Sequence, residues 1–235
     1  MLNEVLWFGL LLVNFLGVIF FYRFFGKAGL FTWIGIAVIL ANIQVMKTVQ
    51  LFGFVAALGD IIYATTYLVT DILNENYGRK EANRAVMIGF AVMLMTTITM
   101  QVTLMMIPDE SDFINPHLKE IFSFFPRIAF ASMTAYLISQ FHDVWSFHAW
   151  RKLTRGKYLW LRNNASTMIS QLIDNTIFTL IAFVGFFGLF GWEQVFEWSI
   201  ILQIFFVSLL MKYFIAIADT PFMYWAKRMK DRVRD

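Results

Sequence analysis

Residues 197–220 read EWSIILQIFFVSLLMKYFIAIADT, an almost unbroken apolar run with one lysine, Lys212, inside it. A helix of about 20 mostly apolar residues crosses the hydrocarbon core of a bilayer. The run is therefore predicted to be a membrane-spanning helix. Because an ionisable side chain at membrane depth normally faces a bundle interior or a cavity, Lys212 is also a candidate functional residue.

Six further apolar stretches precede this run, and the seven together predict an all-α, polytopic membrane helix bundle. They lie at 5–25, 29–46, 54–74, 85–107, 121–144 and 166–190. The composition agrees, since 59% of the 235 residues are hydrophobic and only 15% are charged. Soluble domains carry roughly 25% charged residues. The composition therefore excludes a soluble cytosolic domain and a disordered chain.

The positions of lysine and arginine indicate the orientation, because cytoplasmic loops carry an excess of both. With seven spans and the N-terminus outside, most of the 19 basic residues fall in inside segments. The outside loop at 108–120 is acidic. A six-span arrangement places basic segments on both sides and is disfavoured. We predict an N-out, C-in protein with a basic cytoplasmic tail at 226–235.

Polar residues recur at helical spacing in three of the predicted spans, so their polar faces are expected to meet inside the bundle. The third span carries Asp60, Tyr63, Tyr67, Thr70, Asp71 and Asn74, the fifth Ser132, Tyr136, Ser139, Gln140 and Asp143, and the sixth Thr167, Ser170, Gln171 and Asp174. Asp174 and Lys212 each lie ~12 Å from the inner ends of their helices, which makes an ion pair between them plausible. By the same reckoning Asp60 and Arg127 both lie in the outer half of the membrane and could pair.

Two interpretations of these groups are open. They are either buried ion pairs and small-residue contacts that stabilise helix packing, or the lining of a polar ligand cavity. Packing is favoured for isolated serines and threonines. A cavity is favoured for the carboxylates, for Arg127 and Lys212, and for the amides beside them. The carboxyl groups are also candidate proton carriers, a role that the sequence does not decide.

Two segments outside the apolar cores carry further candidates. Residues 42–50 are expected to leave the helix on the outer side, either as an ordered lid carrying Asn42, Gln44 and Lys47 over a cavity mouth or as an interfacial connection with Lys47 reaching towards water. Asn163 and Asn164 are placed to cap the sixth helix, and we expect one of them to do so. The sequence leaves the two interpretations of 42–50 equally open.

Several kinds of chemistry are missing from the sequence. No phosphate-binding loop occurs, so the chain is not itself an ATPase. The chain has no cysteine, no zinc-binding His-Glu-x-x-His helix and no pair of histidines at mid-span. We therefore expect neither a metal nor a cofactor, and no enzymatic activity.

Four motifs together resemble the queuosine precursor transporter family of bacterial inner membranes. They are Asn42-Ile-Gln through Lys47, Thr70-Asp-Ile-Leu-Asn-Glu-Asn-Tyr-Gly78, Arg127-Ile-Ala-Phe-Ala-Ser132, and Trp160-Leu-Arg-Asn-Asn-Ala-Ser166-Thr167, followed by Asp174 and Lys212. The resemblance implies a six-helix transporter core at 29–225. Residues 1–28 are then an extra N-terminal transmembrane helix, for which we expect an accessory packing role.

The resemblance implies import of 7-deazaguanine precursors of the tRNA nucleoside queuosine, such as the 7-cyano and 7-aminomethyl bases, or of queuine or queuosine. The expected substrate-binding residues are Asn42, Gln44, Lys47, Asp71, Arg127, Ser132, Gln140, Asp143, Asn163, Thr167, Gln171, Asp174 and Lys212. A carboxylate accepts the N1–H and amine of such a base, a donor side chain reads its carbonyl, and an aromatic ring stacks on it.

The expected partners are a purine-like small molecule and the lipid bilayer, with no nucleic acid. A homo-oligomer and an ATPase module stay open as partners, as do facilitated diffusion and proton-linked transport. The alternatives are a transporter or substrate-binding component for another vitamin or nucleobase, and an intramembrane enzyme or structural subunit.

Overall fold

The computed structural model describes residues 2–45, 47–122, 125–188 and 191–230. The last residues of the predicted basic tail, including Arg232 and Arg234, lie outside the described residues. The elements in chain order are α1 (Leu2–Gln44), β1 (Thr48–Leu51), β2 (Phe54–Ala57), α2 (Asp60–Asn76), α3 (Arg79–Met105), α4 (Asn115–Phe122), α5 (Phe125–Leu153), α6 (Leu159–Ala182), α7 (Trp198–Ala218) and α8 (Thr220–Met229). The helical bundle confirms the predicted fold class.

The first helix is broken at Gly26, whose φ is 56° and ψ is −139°. Side chains other than glycine rarely adopt this conformation, so a glycine is needed where the chain changes direction. The break separates the first two predicted apolar stretches, 5–25 and 29–46. A Cβ atom on Gly29 would overlap the carbonyl oxygen of Phe21, so the backbones of the two halves approach closely.

The hairpin of β1 and β2 corrects the sequence prediction for this region. Thr48 pairs with Ala57 and Leu51 with Phe54 in an antiparallel ladder. The third predicted span, 54–74, therefore begins with a strand, and its helix starts only at Asp60. Asn42 and Gln44, expected in a non-helical loop, belong to α1. Periodicity alone does not separate a short apolar strand from the start of a buried helix.

The number of spans is only partly established. Within the described residues, three helices are long and apolar enough to cross a membrane, Leu2–Gln44, Arg79–Met105 and Trp198–Met229, and the bent pair Asn115–Phe122 with Arg127–Leu153 would make a fourth. The seven-span count, the N-out orientation and the division at residue 28 stay predictions.

Helix α2, with 17 residues, is not among these candidate spans, and its surroundings explain its polar composition. It is surrounded by α1, α3, α5, α7 and α8. All of its residues except Asp60 and Tyr63 are buried. A helix enclosed by protein does not need a lipid-compatible surface, so it accommodates polar residues that an exposed span could not. Helices α5 and α6 pack along each other beside it, and the three polar faces meet as predicted.

Candidate functional site

A cavity of about 410 Å³ lies at the end of the bundle that carries the hairpin. We call this end the hairpin end, and the opposite end, where Glu75 lies, the basic end. Residues from α1, the hairpin, α2, α5, α6 and α7 line the cavity. Its volume falls within the range of small-molecule sites, which are mostly apolar with a few placed polar groups.

Two carboxylates share one lysine in the wall of this cavity. The Nζ atom of Lys212 lies 3.0 Å from Oδ2 of Asp174 and 3.6 Å from Oδ1 of Asp60. The side chains of Lys212 and Asp174 are 6% and 4% exposed. The ion pair predicted between Asp174 and Lys212 is confirmed. Because both ions are removed from water, breaking the pair would leave an uncompensated buried charge.

Neighbouring polar groups hold these three side chains in place. The Tyr63 hydroxyl donates to Oδ1 of Asp174 at 2.5 Å, and the Ser208 hydroxyl donates to Oδ2 of Asp60 at 2.9 Å. Lys212 also donates to Oδ1 of Asn175 at 3.4 Å. The charged groups are thereby tied into a network that joins α2, α6 and α7.

The pairing predicted between Asp60 and Arg127 is wrong. Arg127 donates to the backbone carbonyls of Ile181 at 3.3 Å and Glu193 at 3.0 Å, and its guanidinium lies over the ring of Trp192. Depth along a helix follows from the sequence, but rotation about its axis does not. The rotation of α2 turns Asp60 towards Ser208 and Lys212 on α7. Arg127 nevertheless lines the cavity.

The predicted binding residues divide into groups at different depths. Five line the cavity, namely Asn42, Arg127, Ser132, Asp174 and Lys212. Gln44 and Lys47 are not among the lining residues, and Lys47 is exposed. The hairpin itself borders the cavity through Thr48 and Ala56, so the lid interpretation suits the hairpin better than it suits Gln44 and Lys47.

A layer of neutral hydrogen bonds separates the cavity from the basic end. The Gln140 amide donates to Thr66 at 2.6 Å and accepts from Thr70 at 3.1 Å. The Tyr67 hydroxyl donates to Ser139 at 2.8 Å, and Ser139 lies 3.3 Å from Oδ1 of Asp174. Gln140 therefore cross-links α2 to α5 beneath the cavity, and Ser139 connects this layer to the cavity carboxylate.

The remaining predicted residues lie further towards the basic end and are fully or almost fully buried. They are Asp71, Asp143, Asn163, Thr167 and Gln171. Thr167 donates to Oδ2 of Asp71 at 3.3 Å, and Asn163 donates to Oδ1 of Asp219 at 2.8 Å. In this conformation the cavity and these residues form two separate polar regions.

The predicted capping role of Asn163 and Asn164 is wrong, because α6 begins at Leu159, one turn earlier. Both asparagines lie within the helix. Asn164 donates to the hydroxyl of Thr220 at 2.8 Å, as Asn163 does to Asp219. They tie α6 to the junction between α7 and α8.

Several residues that line the cavity are not in the predicted set of substrate-binding residues. They are Asp60, Tyr63, Asn175, Phe178, Phe183 and Ser208. Ser208 lies one helical turn before Lys212, and Tyr63 lies on the recognised polar face of α2, so helical spacing was a usable signal for both. The aromatic side chains carried no such signal in a chain with 27 phenylalanines.

Ion pairs close the basic end of the bundle. Oε1 of Glu75 lies 2.7 Å from Nη2 of Arg162 and 2.6 Å from Nζ of Lys227. Oε2 of Glu75 lies 3.8 Å from Nη1 of Arg151. One carboxylate thus connects α2, α5, α6 and α8. A helical membrane bundle whose cavity lies between helices and contains buried charges, and which is closed by ion pairs at the opposite end, agrees with the architecture of a small-molecule membrane transporter.

Comparison with known proteins identifies the family of transporters to which this chain is similar. The family model described as "Putative vitamin uptake transporter" matches residues 57–226. The chain is 42% identical over 230 residues to "Probable queuosine precursor transporter" of Bacillus subtilis (strain 168), an alignment that covers 97% of this chain and 96% of that protein. It is 27% identical over 194 residues to "Queuosine precursor transporter" of Escherichia coli (strain K12), covering 82% and 84%. No solved structure matches the chain significantly.

The chain belongs to the queuosine precursor transporter family and is a multi-pass bacterial membrane protein. Membership in a family of transporters agrees with the expectation that the chain is not an enzyme.

Proposed function

We propose that the protein imports a queuosine precursor, a 7-deazaguanine base or its nucleoside, and that the cavity beside Asp174 and Lys212 holds it during transport. The observation that carries the proposal is the arrangement of two carboxylates around one buried lysine in a 410 Å³ cavity. The names of the related proteins supply the substrate class.

In the proposed recognition, Asp174 binds the base while Asp60 stays with Lys212. A 7-deazaguanine presents an N1–H and an exocyclic amine on one edge, which one carboxylate accepts together. Because Asp60 also contacts Lys212, Asp174 can turn to the base while the lysine keeps a charged partner. The Lys212 ammonium, which lies in the cavity wall, is then available to donate to the base carbonyl. Tyr63 and Phe178 supply aromatic faces in the cavity wall.

The proposed transport cycle alternates access between the two ends. The hydrogen-bonded layer around Gln140 and the ion pairs of Glu75 separate the cavity from the basic end. Passage of substrate requires that both open. The hairpin borders the cavity at the other end and would close over bound substrate.

Uptake into proteoliposomes tests this function. Labelled 7-cyano-7-deazaguanine is offered to vesicles containing the purified protein, with unlabelled 7-aminomethyl-7-deazaguanine, queuine, queuosine and guanine as competitors. Saturable uptake with inhibition by at least one 7-deazaguanine, and weaker inhibition by guanine, is expected. Absence of saturable uptake or binding of every 7-deazaguanine would refute the proposal.

Asp174→Asn tests the site with little structural damage, because Lys212 keeps Asp60 as a partner. We expect at least tenfold weaker uptake, since losing a charge-assisted hydrogen bond to a buried group costs about 1.5–3 kcal/mol. Asp112→Asn, in the exposed loop before α4, is the matched control. Normal uptake by a folded Asp174→Asn variant would move recognition away from this carboxylate.

A further inference from the structure

Three carboxyl groups are buried between the cavity and the basic end, and the proposed substrate recognition does not use them. Asp71 and Asp143 are 0% exposed, and Asp219, which ends α7, is 2% exposed. Asp71 follows Tyr67 by one helical turn on α2, and Asp143 follows Ser139 by one turn on α5. The carboxyl groups of Asp71 and Asp143 interact with each other, and Asp219 is near enough for its charge to act on both.

These carboxyl groups have no cationic partner among the described residues. The nearby basic side chains of Arg162, Arg151 and Lys227 all contact Glu75. Lys212 contacts Asp60 and Asp174 instead. Buried carboxylates without a cation are normally neutralised by a proton, because two like charges in close contact cannot both ionise at low cost.

A shortage of hydrogen-bond donors also indicates that these carboxyl groups bind protons. Both oxygens of Asp143 and Oδ1 of Asp71 have no hydrogen-bond partner within the described part of the chain. The hydroxyls of Ser166 and Ser170, which lie beside Asp143, already donate to the backbone carbonyls of Arg162 and Ser166. A protonated carboxyl carries one donor, so protons would supply the donors that these acceptors lack.

An unpartnered amide lies between this cluster and the cavity. Gln171 is 0% exposed, and neither its oxygen nor its nitrogen has a partner within the described residues. It follows Thr167, which bonds Asp71, by one turn of α6 and precedes Asp174 by three residues. Its amide therefore occupies the face of α6 between Thr167, which belongs to the carboxyl cluster, and Asp174, which belongs to the cavity.

We propose that Asp71, Asp143 and Asp219 form the proton-binding site of a proton-coupled transporter, with Gln171 and Ser139 connecting it to Asp174. The inference rests on the proposed import of 7-deazaguanines. A proton enters from the hairpin end with the substrate, resides on the carboxyl cluster while the basic end is closed, and leaves when that end opens. No bond other than the O–H bond forms or breaks, and one proton crosses for each one bound.

The charged groups around Asp143 set the pH response of this site. Asp71 on α2 and Asp219 at the junction of α7 and α8 act on Asp143, whereas Glu75, one turn beyond Asp71, and Arg162 on α6 pair with each other. His142 on α5 bonds the hydroxyl of Ser170 at 2.9 Å. The charged residues of α3, which packs on another side of α5, all lie within its first two turns. A metal ion is less suitable than a proton, since within the described residues no three His, Asp or Glu side chains, these three carboxyl groups included, converge closely enough to hold one.

The wild-type protein gives the primary test. Proteoliposomes are loaded with a pH-sensitive dye, their membrane potential is clamped, and neutral 7-cyano-7-deazaguanine is added outside. We expect internal acidification on substrate addition, and about tenfold accumulation under an inside-alkaline gradient of one pH unit if one proton accompanies each substrate. Accumulation that follows a sodium gradient, or that occurs without proton entry, would overturn the inference.

Variants separate coupling from substrate transport. Asp143→Asn and Asp71→Asn are expected to abolish gradient-driven accumulation while retaining exchange of internal for external substrate, which needs no net proton movement. Glu110→Gln, in the exposed loop before α4, is the matched control and should leave both unchanged. Net uptake of substrate by the wild type without proton entry refutes the coupling alone. Absence of exchange of every 7-deazaguanine in the wild type refutes the proposed function itself.

Discussion

Replacing Lys212 by alanine tests how strongly the shared lysine stabilises the bundle. The substitution removes the ammonium that lies 3.0 Å from Asp174 and 3.6 Å from Asp60. Removing one partner of a buried ion pair costs about 3–5 kcal/mol, because the other charge stays buried without compensation. In a chain of this length each kcal/mol lowers the unfolding temperature by about 2–4 °C. We therefore expect Lys212→Ala to lower the unfolding temperature by about 6–20 °C.

The assay is thermal unfolding of the detergent-purified protein followed by intrinsic fluorescence. The double variant Lys212→Ala with Asp174→Asn should recover part of this loss, because one of the two uncompensated charges is removed. Lys119→Ala, on the exposed face of α4, is the control and should change the unfolding temperature by less than about 2 °C. A loss of less than about 1 kcal/mol for Lys212→Ala, or no recovery in the double variant, would show that these charges are hydrated and do not depend on one another.

Three further predictions concern the two ends of the bundle and the break in α1. Glu75→Gln removes the charge that joins Arg162 and Lys227, so the basic end should open more often. A single cysteine, introduced into this cysteine-free chain by Ser166→Cys, should then react faster with a thiol reagent. An unchanged reaction rate would exclude the ion pairs as a gate. Asn3→Ala removes a hydrogen bond to the carbonyl of Gln50 in the hairpin. We expect faster proteolysis at the hairpin with little change in unfolding temperature. Equal cleavage rates would show that this hydrogen bond does not hold the hairpin in place. Gly26→Ala introduces a Cβ atom at a φ of 56°, so the free energy of unfolding should fall by about 1–3 kcal/mol. An unchanged unfolding temperature would mean that the helix straightens at this point.

The sequence was most informative where one helix decides the outcome. Scarcity of charge indicated a membrane bundle, helical spacing identified the polar faces of α2, α5 and α6, and the rise per residue placed Asp174 and Lys212 at matching depths. The ion pair between Asp174 and Lys212 is 3.0 Å long in the structure. The motif resemblance was sufficient to identify the family, which the matching family model and relatives confirm.

Predictions that depended on how helices are rotated or where they begin were less successful. Asp60 contacts Lys212 rather than Arg127, because α2 turns that residue towards α7. Asn163 lies inside α6 rather than at its cap, since the helix starts one turn earlier. The strands of the hairpin lie in residues that are as apolar as the helix that follows them.

The sequence by itself determined the solvent of this protein, the faces of its helices and the depth of its intramembrane charges, because these follow from composition and helical geometry. Only the tertiary structure decided which charges share a partner. It divides one apparent polar stripe into a cavity around Lys212 and a buried carboxyl cluster around Asp143, because helices α2, α5 and α6 cross at rotations that set Ser139 and Gln140 between them. That division is the physical basis for the proposed separation of substrate binding from proton binding.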